Sequence, residues 1–536
     1  MNKYRNFGPA AVCAGLFITA LTAGFADSPG LELTVNVALD RHIISPNIYG
    51  MAYADPALAK EISLPLARWG GDATTRYNWK IDSSNAGDDW FFMANGSGKP
   101  SAGPDKLIES AKGWGGRVML TIPIIDYISS VTGTDCSFPV SVFGQQQKTN
   151  PYVHPIVNGQ QTDAGNGRTP DGKVIPMTKD QILRTNILNT PQIQGDWVRY
   201  LASKFGPTAG GGVAMYEMDN EPGGWNNTHR DLHPGNLGHD ELVNKTISYA
   251  AAAKAADPTA LIVGPGDFMN HYQSDGVPGD GKAEHGGLGQ GNYYLKQLHA
   301  YDVQHGVRLL DYFDEHFYPT AQDGQTDDTV LESTRSLWDT TYVEKNWIGK
   351  WQGPINLIPK FRNWVDQYYP GTKVSISEYG WGDVKTVIGT LAEADVLGIF
   401  ARERLDMACL FGPPKAGDMA ANAFRVYRNY DGQGSRFGDV YVQSTSSNQA
   451  SLAIYGSQRT KDKTLTLVVI NKTETDLTSP ISITGFKPSA KAAEYQFTGG
   501  NPQGLSALPA QTITNSGFTE TFPARSITLI AIPQKT

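Results

Sequence analysis

The feature that most constrains the fold is a regular alternation of short apolar segments with amphipathic segments along most of the chain. Eight segments have the length and apolar content of buried strands: Ile48–Ala52, Leu66–Trp69, Arg117–Pro123, Val213–Asp219, Ala260–Pro265, Leu310–Tyr318, Lys373–Glu378 and Phe424–Tyr427. Segments with helical spacing of apolar residues lie among them: Ala57–Ile62, Lys106–Lys112, Lys179–Phe205, Leu242–Ala256, Tyr293–Gln304, Leu357–Tyr369 and Ala392–Met407. Strands that alternate with helices predict an α/β fold of the (β/α)8 TIM barrel type. A doubly wound sheet is the alternative, but it needs an early glycine-rich phosphate turn, which we do not find.

The pattern changes after about residue 437, where the helical spacing ends. Short β-type segments follow, separated by turns rich in Gly, Pro, Asn and Thr: Thr464–Ile470, Ile481–Ile483, Ala492–Phe497 and Ser526–Ile532. We therefore predict a barrel over residues 27–436 and an additional C-terminal β-sandwich over residues 437–536. The segment Leu31–Val37 also alternates like a strand. We expect it to join the sandwich, which would bring the two ends of the mature chain together.

The N-terminus has the pattern of a cleavable signal peptide. Lys3 and Arg5 precede an apolar stretch from Ala10 to Leu21, and Gly24-Phe25-Ala26 is a small-x-small cleavage site. The apolar stretch is too short for a stable membrane span. We therefore predict that residues 1–26 are removed and that the protein is secreted or periplasmic.

Charge and cysteine content limit the partners. The formal net charge is −8, and removing Lys3 and Arg5 with the signal peptide makes it −10. Such a chain has no general attraction to nucleic acid or to an anionic membrane, so a neutral polymer is an acceptable partner. Cys136 and Cys409 remain after cleavage. They could form one disulfide or stay as two buried thiols, and thiols are favoured because a large domain needs no covalent staple.

Two glutamates stand at the ends of predicted strands. The segment Met215-Tyr216-Glu217-Met218-Asp219-Asn220-Glu221-Pro222 ends the fourth strand, and Val374-Ser375-Ile376-Ser377-Glu378-Tyr379-Gly380-Trp381 ends the seventh. Side chains at these positions point into the mouth of a barrel. Two carboxyls that face each other there suit glycosidic cleavage, which needs a protonated acid and an ionised carboxylate. A capping Glu before a turn is the alternative for Glu221 alone, but two such strand ends together disfavour it.

The sequence resembles clan A of the glycoside hydrolases and, within that clan, family 44, the endoglucanases and xyloglucanases. Four further segments carry the resemblance, which spans nearly the whole mature chain: Arg68-Trp69-Gly70-Gly71, Thr75-Arg76-Tyr77-Asn78-Trp79, Asp163-Ala164-Gly165-Asn166-Gly167 and Tyr427-Arg428-Asn429-Tyr430-Asp431-Gly432, the last at the expected exit of the eighth strand. The sequence departs from the expected pattern at Asp72, where we expect Asn. The resemblance implies a barrel with a β-sandwich, Glu221 as general acid/base, Glu378 as nucleophile, and no cofactor for catalysis.

The resemblance also implies contacts to a sugar. Asn220 would hydrogen-bond the 2-hydroxyl, and His316 and Tyr318 would lie near Glu378, although both could instead be core residues. Tryptophans are candidates for sugar stacking, with core packing as the alternative for each: Trp69, Trp90, Trp114, Trp225, Trp347, Trp351 and Trp381. Trp347 and Trp351 are four residues apart, so a helical turn would place both rings on one face.

Three long loops are predicted on the C-terminal face of the barrel: Thr132–Pro176, Gly223–Asp240 and Asp267–Gly291. Asp163, Asn166 and Asp171 in the first could hold a structural Ca²⁺, although an ordinary turn rich in Asp and Asn is favoured. No His/Cys spacing indicates catalytic zinc, and no Gly-x-Ser-x-Gly elbow supports a serine esterase.

The sequence favours a secreted, retaining endo-β-1,4-glucanase or xyloglucanase that acts as a monomer on xyloglucan, β-glucan or soluble cellulose. Two alternatives stay open. One is a clan A hydrolase that cleaves another backbone, such as mannan or xylan. The other is a non-catalytic carbohydrate-binding protein on the same barrel, which the presence of both carboxyls disfavours.

Overall fold

Eight parallel strands close into a barrel in the computed structural model, which describes residues 31–133, 135–151, 153–154, 159–160, 163–319, 326–501 and 504–535. The predicted signal peptide lies outside these residues. The barrel strands are β1 (Gly50–Ala52), β2 (Leu66–Trp69), β3 (Arg117–Ile122), β4 (Met215–Met218), β5 (Ile262–Phe268), β6 (Tyr312–Phe317), β7 (Lys373–Tyr379) and β8 (Met407–Leu410). Each strand pairs with its neighbours in chain order, and β8 pairs with β1. The (β/α)8 barrel prediction is confirmed.

The eighth strand differs from the prediction. Phe424–Tyr427 belongs to the helix Ala421–Arg428, and β8 lies at Met407–Leu410, where we predicted the end of a helix. Both segments are short and every residue of each is buried, and a short apolar run cannot be assigned to a strand or a helix by periodicity alone. The segment Tyr427-Arg428-Asn429-Tyr430-Asp431-Gly432 therefore begins in the last two residues of this helix rather than at the end of a strand.

The α-helices surround the barrel and form parts of its loops: Pro56–Glu61, Ala102–Gly113, Val140–Phe143, Lys179–Leu183, Pro191–Phe205, Trp225–Thr228, His239–Ala256, Met269–Tyr272, Gln290–His305, Asp327–Ser333, Trp347–Gln352, Leu357–Tyr368, Val387–Arg402 and Ala421–Arg428. Short 3-10 helices occupy Pro46–Tyr49, Asp72–Arg76, Gly87–Trp90, Thr208–Gly210, Pro222–Gly224 and Thr334–Leu337. The predicted helix Lys179–Phe205 is divided by a short strand, Asn186–Leu188. The second helix starts at Pro191 because Thr190 caps it by accepting from the N–H of Ile193.

The C-terminal β-sandwich unit has antiparallel strand pairing, except for one parallel pair. Its strands are Leu33–Asn36, His42–Ile43, Val440–Ser446, Leu452–Gln458, Leu465–Asn471, Leu477–Thr484, Lys491–Phe497, Ser506–Thr512, Gly517–Phe522 and Ser526–Ile532. The N-terminal strand Leu33–Asn36 lies between Val440–Ser446, which it meets antiparallel, and Leu477–Thr484, which it meets parallel. Its residues Leu33 and Val35 belong to the separate apolar core of this unit. Short two-stranded antiparallel sheets lie in the loops of the barrel: Ser83–Asn85 with Ala94–Gly96, Tyr127–Ser129 with Asn186–Leu188, Val153–His154 with Gly159–Gln160, and Gly276–Val277 with Asp280–Gly281.

The helix Val387–Arg402 joins the two units. It is apolar on all sides, and every residue from Gly389 to Ala401 is buried, because it is covered by the barrel on one side and the sandwich on the other. At Gly398 a Cβ atom would lie 2.3 Å from the ring of Tyr455, so the sandwich packs directly on the helix backbone. Among the described residues, no helix is long and apolar enough to cross a membrane. Cys136 and Cys409 are two separate buried thiols.

Candidate active site

The carboxyl ends of β2, β4, β6 and β7 meet in one buried polar cluster at the mouth of the barrel. They bring together Arg68, Asn220, Glu221, His316 and Glu378, which are far apart in sequence. These strands enclose an apolar core lower in the barrel, so polar side chains at their ends must satisfy one another. The two glutamates predicted from the strand ends lie in the same cluster.

The backbone around Glu221 is held in an unusual conformation. Glu221 has a left-handed φ of 48°, and Asp219 has a φ of 73°. The N–H of Glu221 donates to the carbonyl of Gly266 at 2.8 Å. Asp219 Oδ2 accepts the N–H groups of Ile124 and Ile125 at 2.6 and 3.1 Å. Because a left-handed non-glycine residue costs roughly 1 kcal/mol or more, these bonds are needed to hold the turn that presents the Glu221 carboxyl.

Two donors hold Glu378. Arg68 Nη1 donates to Oε2 at 2.5 Å, and the Tyr318 hydroxyl donates to Oε1 at 2.8 Å. Both carboxylate oxygens therefore have a hydrogen-bond partner, which fixes the orientation of the side chain. Glycine is required at position 70, because a Cβ there would lie 2.2 Å from the Arg68 guanidinium carbon.

His316 lies between the two glutamates. Its Nδ1 is 2.8 Å from Glu221 Oε1 and 3.9 Å from Glu378 Oε2, and its Nε2 is 3.0 Å from Ser377 Oγ. One carboxylate oxygen of Glu221, one of Glu378 and a ring nitrogen of His316 all lie within 4.8 Å of one another. The cluster therefore leaves a narrow gap between two carboxyls.

Burial and charge separate the protonation states of these groups. Burial raises the pKa of Glu221, while His316 opposes the rise and the charge of Glu378 adds to it. For His316, burial lowers the pKa, but Glu378, Glu217 and Glu221 together hold it well above its ordinary value. Glu221 is therefore the carboxyl that is suited to carry a proton.

A third carboxylate, Glu217, lies deeper in the barrel than Glu221 and Glu378. It is fully buried on β4 and receives Nε and Nη2 of Arg68 at 3.2 and 3.0 Å, as well as the hydroxyls of Thr121 at 2.8 Å and Ser377 at 2.7 Å. Although burial raises its pKa, the charges of Arg68 and His316 and the hydrogen bond from Ser377 lower it to about 2. Glu217 thus stays ionised and anchors the guanidinium that orients Glu378.

Asn220 has a fixed amide. Its Oδ1 accepts from the N–H of Gly71 and from Arg68 Nη2, both at 2.9 Å, and its Nδ2 donates to Asp72 Oδ1 at 3.0 Å. Burial and the neighbouring charges of Glu221, Asp89 and Glu378 raise the pKa of Asp72 well above its ordinary value. Asp72, where the family resemblance suggested Asn, is thus an immediate neighbour of the site.

The tryptophan candidates differ in their exposure to solvent: some rings are exposed, some partly buried and some buried. Trp90, Trp347 and Trp351 are 41%, 43% and 52% exposed. Trp347 lines a cavity of about 50 Å³ together with Phe268, His316 and Tyr318, which places it beside the glutamates.

The sugar-stacking prediction is wrong for two of the tryptophans. Trp225 is completely buried, and Trp381 is buried with its Nε1 donating to Ser333 Oγ at 3.0 Å. Both rings fill the core, so a sugar cannot reach them. Trp69 and Trp114 are partly buried against the main core, and Trp69 packs edge-on against Tyr77 and Trp197.

The residues predicted for calcium have protein partners. Asp163 accepts from the N–H and the hydroxyl of Ser141 at 2.7 and 2.6 Å. Asn166 bonds with Lys148 and Gln147, and Asp171 pairs with Lys173 at 2.8 Å. Among the described residues, the groups of three acidic, His or Cys side chains close enough to share a metal do not include Asp163 or Asp171. The structural calcium site stays a prediction.

Sequence reasoning did not assign Arg68, Glu217, Asp267 or His271 to the site, although all four lie at or next to it. A charged residue inside an otherwise apolar strand was the available signal for Arg68 and Glu217, since such a residue must be paired. For Asp267 and His271, their position just after the fifth predicted strand was the signal.

Known proteins are similar to this chain in sequence and in fold. The sequence model of the family described as glycoside hydrolase family 44 matches residues 83–321. Endoglucanase A of Paenibacillus lautus is 30% identical over an alignment that covers 98% of this chain and 76% of that protein. The crystal structure of CelM2, a bifunctional glucanase-xylanase protein from a metagenome library, has a TM-score of 0.88 at 34% identity, covering 94% of this chain and 99% of CelM2. A Paenibacillus polymyxa xyloglucanase from family 44 has a TM-score of 0.80 at 27% identity, covering 94% of this chain and 100% of that one.

Proposed function

Because this chain belongs to glycoside hydrolase family 44, we propose that it is an endo-acting β-1,4-glucanase or xyloglucanase that cleaves with retention of anomeric configuration. The substrate class rests on relatives described as an endoglucanase and a xyloglucanase. The stereochemistry rests on the geometry of the two glutamates.

The separation of the carboxyls is the observation that carries the proposal. Oxygens of Glu221 and Glu378 lie within 4.8 Å of each other. Retaining enzymes place their two carboxyl groups about 5–5.5 Å apart, whereas inverting enzymes need about 6.5–9.5 Å to admit a water molecule. The short gap supports direct attack by one carboxylate on the sugar.

The surroundings of the two groups support distinct roles. Glu221, whose pKa burial raises, would donate its proton to the leaving oxygen. Glu378, oriented by Arg68 and Tyr318, would attack the anomeric carbon and form a glycosyl-enzyme. Glu221 would then remove a proton from the water that releases the sugar. Asn220, whose amide is fixed by Arg68, Gly71 and Asp72, would hydrogen-bond the 2-hydroxyl, a contact that strengthens in the transition state.

Xylan is the second candidate backbone. CelM2, which is 34% identical to this chain, is described as a bifunctional glucanase-xylanase. A sugar ring without the 6-hydroxymethyl group is smaller than glucose, so a cleft that accepts glucan is open to it on size alone.

We further propose that the enzyme is secreted as a monomer, on the basis of its N-terminal pattern and its negative charge.

One experiment tests the substrate and the stereochemistry together. Purified enzyme is incubated with xyloglucan, soluble cellulose, mixed-linkage β-glucan, xylan and mannan, and new reducing ends are measured. We expect the highest rate on a β-1,4-glucan backbone, and a highest rate on mannan would contradict the substrate proposal. Proton NMR of the first product should show the β-anomer, and an initial α-anomer would contradict retention. Size-exclusion chromatography of the same preparation checks the monomer.

A further inference from the structure

The structure contains a buried pair of ionisable residues beside Glu221 that the mechanism above does not use. Asp267 lies at the end of β5 and is completely buried, whereas His271, in the short helix Met269–Tyr272, keeps 25% of its side chain exposed. His271 Nδ1 is 2.5 Å from Asp267 Oδ1. The imidazole is thus the accessible half of a pair whose carboxylate is out of reach of a substrate.

Asp267 ties this pair to the turn that carries Glu221. Its Oδ2 accepts the N–H of Gly223 at 2.6 Å, two residues after Glu221. A Cβ at position 223 would lie 2.5 Å from the His271 ring, so glycine lets the ring lie against the turn. The position of His271 is therefore fixed relative to the general acid.

The proposed role of Glu221 as general acid indicates which sugar of the substrate would lie next to His271. A general acid protonates the glycosidic oxygen, so the sugar beyond that oxygen must lie beside the acid. The ring of Phe268 lies 6.1 Å from the His271 ring and 6.2 Å from the ring of His316, the residue that contacts Glu221. Gln273, two residues after His271, contacts the helix Trp347–Gln352, because its Nε2 donates to Gln352 Oε1 at 3.0 Å.

We propose that His271, oriented by Asp267, binds the sugar on the leaving-group side of the scissile bond through its Nε2 edge. This inference rests on the proposed function and adds a specific subsite to it. Nδ1 faces Asp267, so Nε2 is the ring nitrogen left for a ligand. Burial lowers the pKa of His271, but Asp267 raises it overall, which favours an N–H at Nε2 that can donate to a sugar hydroxyl. Asp267 acts as a positioning residue.

Two isosteric substitutions separate the ring nitrogens. The amide of His271→Asn reaches the position of Nδ1 and can keep the bond to Asp267, but it cannot reach the sugar. The amide of His271→Gln reaches the position of Nε2. Two substrates separate the subsites, because cellohexaose has a sugar as leaving group, whereas an aryl β-cellotrioside releases a phenol in its place.

We expect His271→Asn to lower kcat/KM on cellohexaose by about ten-fold or more, the value of one hydrogen bond from a charged donor. On the aryl cellotrioside the same variant should stay within about three-fold of the wild type. His271→Gln should recover part of the loss on cellohexaose. Melting temperatures of both variants establish that they are folded.

The outcomes distinguish the inference from the proposed function. If the wild type cleaves cellohexaose and His271→Asn slows both substrates equally, His271 acts on the Glu221 turn rather than on the leaving sugar, and the inference is wrong. Wild-type rates for both variants on cellohexaose would also overturn it. If the wild type cleaves no β-glucan at all, the proposed function fails and the subsite fails with it.

Discussion

Glu221 and Glu378 stand near the ends of two barrel strands but have different partners, and this difference supports the roles that we propose for them. Glu378 accepts from a guanidinium and a phenol, whereas Glu221 is partly buried on a strained turn next to His316. The roles therefore depend on neighbours contributed by β2 and β6, which are distant in the sequence.

Substitution of each glutamate should have a different result. Glu378→Gly should lose nearly all turnover because no glycosyl-enzyme can form, and azide should restore cleavage of an activated aryl glucoside to give the α-azide. Glu221→Ala should retain more activity on substrates with good leaving groups, which need little protonation. The rates of both variants on one activated and one unactivated substrate, with and without azide, measure this. The opposite pattern would mean that the two roles are exchanged.

At the residue scale, the sequence was sufficient for groups whose position in a strand determines their direction. Glu221 follows shortly after the apolar strand Met215–Met218 and Glu378 lies near the end of Lys373–Tyr379, so a barrel places both at its mouth. It was insufficient for Trp225 and Trp381, because their placement depends on which side of a loop faces the core. The contacts of Arg68 were not predicted from the sequence, because its partners Glu217 and Glu378 are 149 and 310 residues away.

At the scale of elements, the helix Trp347–Gln352 presents two aromatic rings to solvent. Asn346 caps it by accepting the N–H groups of Ile348 at 2.9 Å and Gly349 at 3.4 Å. Gly349 is buried against the backbone of Glu344. The helix is thus attached by one face, while Trp347 and Trp351 lie on an exposed one. The cavity beside Trp347 is also lined by His316 and Tyr318, which contact the two glutamates.

We expect Trp347→Ala and Trp351→Ala to weaken cleavage of polysaccharide while leaving the melting temperature nearly unchanged. Exposed rings contribute little to the core but can stack on successive sugars. Trp225→Ala and Trp381→Ala are the matched controls, and truncation of these buried rings should cost about 3–5 kcal/mol of unfolding free energy. Kinetics on xyloglucan and thermal melts of all four variants test this. A large loss of stability in the first pair, with normal activity, would contradict the sugar platform.

The eighth strand shows what limits prediction at this scale. Met407–Leu410 is short and buried on both faces, so it has no alternation, and a preceding apolar helix hides its start. A solvated face does not decide the outcome by itself. The fully buried strand Ser526–Ile532 was predicted with its observed bounds, whereas only Ile481–Ile483 of the alternating strand Leu477–Thr484 was predicted. The length of the apolar segment matters more, since four residues are too few to show a period.

At the scale of the whole molecule, the barrel and the sandwich share a buried interface that includes one ion pair. Lys472 of the sandwich donates to Asp395 of the helix Val387–Arg402 at 2.8 Å, and both side chains are almost completely buried. Asp395 also accepts from Thr334 on the barrel side and Tyr455 on the sandwich side. Since the apolar helix is covered by both units, neither unit can leave without exposing it.

We therefore expect the two units to unfold in a single cooperative transition. Lys472→Met should destabilise this transition by about 3–5 kcal/mol, because it leaves the Asp395 carboxylate buried without its cation. The double variant Lys472→Met, Asp395→Leu should be closer to the wild type, since it removes both charges. Calorimetry of the three proteins measures the effect, and kcat of the folded variants should stay at the wild-type value because the glutamates are untouched. Two separated transitions in the wild type would show that the sandwich is an independent unit, and the interface would then contribute little to the stability of the barrel.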